Sequence, residues 1–160
     1  MCIRDSVIRP DDTPETLKEK VRLATVLGTW QATLTDFRYL AKEWKNNCEE
    51  EALLGVSLTG IMDNVYTNGT HGKDKVVQAY QEQLPGLLRS LKEIALDTNK
   101  KVSKQLGINP SAAITCVKPS GTVSQLVDAA SGIHARHAPF YVRTVPVSYT
   151  HLTLPTKRIV

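Results

Sequence analysis

The residues best suited to chemistry lie in one run, Ile114-Thr115-Cys116-Val117-Lys118-Pro119-Ser120-Gly121-Thr122-Val123-Ser124. An apolar, strand-like stretch ends at a lysine, a Pro-Ser-Gly-Thr turn follows, and a helix is expected to start just after it. Pro119 biases Lys118 toward extended backbone and so stops the strand. Gly121 allows a ligand to come close to the main chain. Ser120, Thr122 and Ser124 supply hydroxyl donors beside the N–H groups of the helix start. Such a start favours an anion by a fraction of a kcal/mol up to ~2 kcal/mol, and phosphate is its natural guest. The same residue types also describe a plain strand–turn–helix connection with a capped helix, and the residues alone leave both readings open. The run is not a nucleotide P-loop, because Gly-x-x-x-x-Gly-Lys-Ser/Thr is absent. Gly69-Thr70-His71-Gly72-Lys73-Asp74 has the wrong spacing and an aspartate where a Mg²⁺-binding hydroxyl would stand.

Few other side chains compete. The three cysteines, Cys2, Cys48 and Cys116, form no C-x-x-C pair, which speaks against a zinc site and a disulfide framework. Cys116, in an apolar run, reads as a small buried hydrophobe. Cys48 stands beside Glu49, Glu50 and Glu51, which would raise its pKa and leave it inert. His134 and His137 are three apart, but Gly132 and Pro139 break any helix there and no carboxylate pattern completes a metal site. Trp30 and Trp44 read as core or half-buried packing residues.

The elements that must position the run follow from pattern. Thr13 is a good N-cap and Pro14 suits the first helical position. Apolar spacing from Leu17 predicts a helix from Pro14 to about Leu34, reaching Tyr39 at the furthest. A second helical piece is expected over residues 40–51, and a short buried strand over Leu53 to Gly60. A helical turn is expected over residues 61–66, and a loop over 67–72. A long helical region spans Asp74 to Leu106, which Pro85 should split or kink and Gly107 should end. Ala112 to Val117 reads as another short strand, residues 122–128 as one or two helical turns, and Phe140 to Val145 as a strand. Two strands joined by a long helical crossover should run parallel, so the class is α/β, with helices covering a sheet or barrel wall.

The chain has 160 residues, with 41% hydrophobic and 22% charged side chains, as a globular domain does. No apolar run approaches the ~20 residues of a membrane helix, and no signal-peptide pattern opens the chain, so a cytoplasmic protein without membrane partners is expected. The ends, residues 1–6 and 147–160, read as non-native, adapter-derived sequence and are set apart from residues 7–146. Without them the net charge falls from +4 to +2. Basic and acidic residues are interspersed, so no nucleic-acid partner is expected.

CVKPSGTVSQLVDAASGIHARHAPFYVRTV, together with LATVLGTWQATLTDFRYL and NNCEEEALLGVSLTGIMD in this order, resembles the adenosylcobalamin-dependent (class II) ribonucleotide reductases. The resemblance covers about residues 7–145. It implies the second half of a ten-stranded α/β barrel, in which a loop after a late strand holds the phosphates of a ribonucleoside di- or triphosphate. Carried over, Pro119, Ser120, Gly121, Thr122 and Ser124 are that loop. Backbone N–H groups would do much of the binding, and Ser120 and Thr122 would donate to phosphate oxygens. The resemblance further implies adenosylcobalamin as cofactor and a thioredoxin-type reductant. It implies a cysteine thiyl radical that abstracts the 3′-hydrogen, with a cysteine pair supplying electrons. The Asn-Pro-Cys-x-Glu motif that carries the radical cysteine is absent from this sequence, so no catalytic residue is expected in it. The alternative is a stand-alone phosphate- or nucleotide-binding α/β module without catalysis.

Overall fold

The computed structural model describes residues 2–68, 75–118, 120–136, 138, 140 and 142. Strand β1 spans Cys2–Val7, helix α1 Pro14–Gln31, helix α2 Lys42–Glu51, strand β2 Leu54–Thr59, helix α3 Lys75–Leu106 and helix α4 Val123–Leu126, with a 3-10 turn at Ile61–Asp63. β1 and β2 pair in parallel, with Asp5 opposite Ser57 and Val7 opposite Thr59. β1 lies largely in the stretch set apart as an end, so the sequence reading held no strand there.

α1 begins as its residues dictate. Thr13 and Thr16 cap each other reciprocally, Thr16 Oγ1 accepting from Thr13 N–H at 2.9 Å, with Pro14 in the first turn. The helix buries Leu17, Val21, Ala24, Thr25, Gly28 and Thr29. The buried hydroxyls of Thr25 and Thr29 are satisfied by the carbonyls of Val21 and Thr25, both at 2.8 Å. The helix ends at Gln31, short of the expected Leu34 or Tyr39. The Thr33 hydroxyl caps the Trp30 carbonyl at 2.7 Å, and Leu34 finds no core partner. Trp30 and Trp44 are 55% and 60% exposed, so of the two expected placements, core or half-buried, the core one is excluded.

α3 is a single helix of 32 residues that runs through Pro85, so of the split or kink expected there the split is absent. Pro85 and Gly86 face solvent, so water can take the carbonyl that the missing N–H leaves unbonded. Gly107 ends the helix as expected. Leu91 and Ala95 of α3 join Ile8, Leu17, Val21, Ala24, Val56 and Ile114 in the core, which lies between the two long helices and the sheet.

The second expected strand is present only as one parallel bridge, Val56 to Thr115. Val56 N–H donates to Ile114 O at 2.7 Å and Cys116 N–H to Val56 O at 3.0 Å. Leu54 N–H, however, donates to Ala113 O, the neighbouring carbonyl rather than the alternate one, which breaks the ladder before residue 114. The parallel direction is the one a long helical crossover requires. The expected strand over residues 140–145 falls mostly outside the described residues; Phe140 and Val142, which are described, are exposed and carry no strand.

Candidate functional site

The chain leaves both strands and the bridged segment at the same end of the sheet. In open parallel sheets, the crevice beyond the carboxyl ends of the strands is where ligands bind. Ile8 and Arg9 follow β1 here, Gly60 follows β2, and Lys118 to Ser124 follow the bridge.

The five expected loop residues do not share one environment. Ser120 is 1% exposed, and its Oγ accepts from Thr59 Oγ1 at 2.6 Å and from Gly132 N–H at 2.9 Å. Ser124 is fully buried; its N–H donates to Ser120 O at 3.1 Å and its hydroxyl lies 3.5 Å from Gly121 O. Thr122 is exposed, and its side chain makes no capping bond to α4. Gly121 is half-buried, and Pro119 lies outside the described residues. The ammonium of Lys118 turns away from the loop to Asp5, at 2.6 Å, and its backbone N–H donates to Ser57 Oγ at 3.3 Å. α4 is a single turn of four residues, so the field expected of a helix start is small here.

A second segment, residues 128–136, closes over the loop. Gly60 N–H donates to Ala130 O at 2.9 Å, and Ala130 N–H donates to Asp63 Oδ2 at 2.7 Å. Arg136 bridges Asp63 Oδ1 at 3.0 Å and Asp128 Oδ1 at 2.7 Å, while Arg9 and Arg136 both donate to the Asp128 carbonyl. These contacts hold Asp128 in the left-handed region at φ 47°. None of Thr59, Asp63, Gly132 and Arg136 was singled out from sequence as a site residue. Asp63 and Arg136 are 73 residues apart, and no local pattern joins them.

Burial opposes ionisation of Asp63, but Arg136 and the Ala130 N–H outweigh it and hold the carboxyl below its ordinary range. A depressed folded-state pKa gives stability that is complete above the unfolded value and is lost as pH falls through the folded one. We therefore expect Asp63→Asn to lose stability at neutral pH and to show a shallower decline than the parent as pH falls below about 4. Urea melts at several pH values measure this, and parallel declines would rule out the ion pair as a contributor. Asp12, similarly depressed against its burial by Lys20, Arg9 N–H and Thr16, keeps its own share of the acid response in both proteins.

A cleft of about 650 Å³ opens beside the loop, between β2, α3 and residues 115–117. Leu84, Leu88, Leu91 and Ile133 make it mainly apolar. Cys116 lines it, and burial followed by the nearby Asp5 pushes its thiol pKa up, the opposite of an activated nucleophile. His134 is exposed with its ring 3.3 Å from Ser131 O, and His137 lies outside the described residues.

No family model matches the chain, and no solved structure matches it. Curated proteins do. The adenosylcobalamin-dependent ribonucleoside-triphosphate reductase of Lactobacillus helveticus is 29% identical over 156 residues, covering 89% of this chain and 21% of that protein. Its counterpart in Lactobacillus acidophilus is 27% identical over 153 residues, 87% of this chain and 20% of that protein. A Dictyostelium discoideum protein named "Probable adenosylcobalamin-dependent ribonucleoside-triphosphate reductase" is 33% identical over 103 residues, 64% of this chain and 12% of that protein. The chain is thus similar over most of its length to proteins named adenosylcobalamin-dependent ribonucleoside-triphosphate reductases, and it spans about a fifth of the length of the first two of these relatives.

Proposed function

We infer that the chain is part of the catalytic barrel of an adenosylcobalamin-dependent ribonucleotide reductase, and that the loop of residues 119–124 holds the phosphates of its ribonucleoside di- or triphosphate. One observation carries this reading. In a chain similar to such reductases, Ser120, Gly121 and Thr122 follow the bridged segment beyond the carboxyl ends of parallel strands, where an α/β protein binds its ligand. Thr122, exposed and without a capping bond, is the side chain placed to donate to a phosphate oxygen, together with backbone N–H groups of the loop.

The parent reaction replaces the ribose 2′-hydroxyl with hydrogen, and this segment contributes binding and orientation to it. Bound adenosylcobalamin supplies the radical chemistry that the parent uses. A corrin edged with amides asks for many polar partners, whereas the cleft beside the loop is lined mainly by apolar side chains. It does not fit the cofactor, which we place in the remainder of the parent. The radical cysteine, the electron-supplying cysteines and the contact with a thioredoxin-type reductant belong there too, because no Asn-Pro-Cys-x-Glu motif occurs in this sequence. The chain alone would bind substrate phosphates without turning substrate over, and the parent would work in the cytoplasm.

Extending the reading frame at the genomic locus tests this directly. The expected result is an Asn-Pro-Cys-x-Glu motif upstream, with residues 1–6 and 147–160 replaced by other sequence. A frame that begins at Met1 and ends at Val160 would overturn it in favour of a small phosphate-binding module.

A further inference from the structure

The phosphate-loop reading treats Ser120 as a donor to the ligand, but its surroundings give it a different task. A hydroxyl has one proton and two lone pairs. Ser120 Oγ accepts from Thr59 Oγ1 at 2.6 Å and from Gly132 N–H at 2.9 Å, so both lone pairs are used inside the protein and burial governs access to its remaining proton. The residue is 1% exposed and Thr59 is fully buried, so a phosphate oxygen reaches neither without opening the loop. The link joins three places distant in sequence: the last residue of β2, the turn after the bridged segment, and the segment that folds back over it. Gly132 is tied to the same point. Its φ is +55°, and a Cβ there would meet Lys118 O at 3.2 Å and Ser120 Oγ at 3.8 Å. Ser124 N–H, donating to Ser120 O at 3.1 Å, fastens the start of α4 to the same residue. A turn whose serine is held from three sides has its next residues, Gly121 and Thr122, set in place before any ligand arrives.

We propose that Ser120 and Thr59 are positioning residues of the phosphate loop, which hold Thr122 and the loop backbone in the binding geometry without touching the phosphate. The proposal rests on the phosphate-loop reading, and its test separates the two. Inorganic triphosphate is titrated calorimetrically into the 160-residue chain and its Thr59→Val, Thr59→Ser, Ser120→Ala and Thr122→Val variants. Hydrogen exchange of the Gly132 amide, whose acceptor is Ser120 Oγ, is followed in each.

Thr59→Val and Ser120→Ala are expected to weaken binding about tenfold, the scale of one lost buried hydrogen bond, and to speed Gly132 exchange by about the same factor. Thr59→Ser, which keeps the hydroxyl, should match the parent in both. Thr122→Val should lose affinity with Gly132 exchange unchanged. Weakened binding in Ser120→Ala, with Gly132 exchange unchanged and Thr59→Val binding normally, would make Ser120 a direct ligand and overturn the proposal. If the parent chain binds no triphosphate while Gly132 exchange still quickens in Thr59→Val, the phosphate reading has failed and the link serves the fold alone. Should Ser120→Ala not fold, the Thr59→Val and Thr59→Ser pair decides by itself.

Discussion

Gly60→Ala should lower the free energy of unfolding by about 3 kcal/mol, from a left-handed backbone penalty of roughly 1–2 kcal/mol and an overpacking cost of about the same size. Gly60 follows β2 at φ +83°, where the chain turns sharply toward the 3-10 turn. A methyl group there would sit 2.5 Å from Ile8 O, a main-chain atom that cannot rotate aside, and 3.4 Å from the Ala129 methyl. Relief requires β1 and β2 to separate at their carboxyl ends or the 128–132 segment to lift. Gly60 N–H donates to Ala130 O, so either motion also loosens the cover over Ser120. Urea denaturation gives the stability, and Gly132 amide exchange reports the cover. A loss under about 1 kcal/mol would mean that the strand ends yield easily. The turn would then be too soft to preset the loop.

Much of the scaffold was legible because it is encoded locally. The Thr13–Pro14 start of α1, the glycine-bounded β2 and the Gly107 end of α3 follow from residue types within a few positions of one another, and the parallel direction of the crossover follows from the length of the helix between the two strands. What was not legible depends on contacts between distant residues. The end of α1 was placed too late, because Leu34 and Phe37 continue the apolar spacing although Leu34 is exposed. Pro85 was expected to split or kink α3 and does not split it; the sequence does not reveal that Pro85 and Gly86 meet solvent. At the site, position and chemistry separate. Ser120, Gly121 and Thr122 lie between the bridged residue Thr115 and the start of α4, close to the expected order of strand, turn and helix. Which hydroxyl faces outward depends on Thr59 and Gly132, 61 and 12 residues away from Ser120, and no local pattern carries that. One signal was present but unused. In α3 the buried stripe runs Leu91, Ala95, Asn99, Ser103 at intervals of four, so polar residues sit where apolar ones are expected.

A polar residue on a core stripe is retained only where it is bonded, and Asn99→Ala should therefore cost about 3 kcal/mol, near 1 kcal/mol for each hydrogen bond lost. Asn99 is 1% exposed. Its Nδ2 donates to Thr29 Oγ1 at 3.0 Å and to Ser111 Oγ at 2.9 Å, and its Oδ1 accepts from Ser111 N–H at 3.0 Å. One side chain thus joins α1, α3 and the segment that leads into the bridge with β2. Asn99→Asp separates the donors from the acceptor. At neutral pH it keeps the bond from Ser111 N–H but loses both donated bonds and buries a charge with no cation among its named partners. Its folded-state pKa is then raised, so its relative stability is best below the unfolded carboxyl value and declines as pH rises through the folded one. Denaturation at about pH 4 and about pH 8 should find Asn99→Asp closer to the parent at the lower value, where a protonated carboxyl can donate once. Asn99→Ala should show the same deficit at both. If Asn99→Ala is as stable as the parent, the stripe is held by packing alone. The run that leads to Lys118 and Ser120 would then owe its place to the β2 bridge and not to α3.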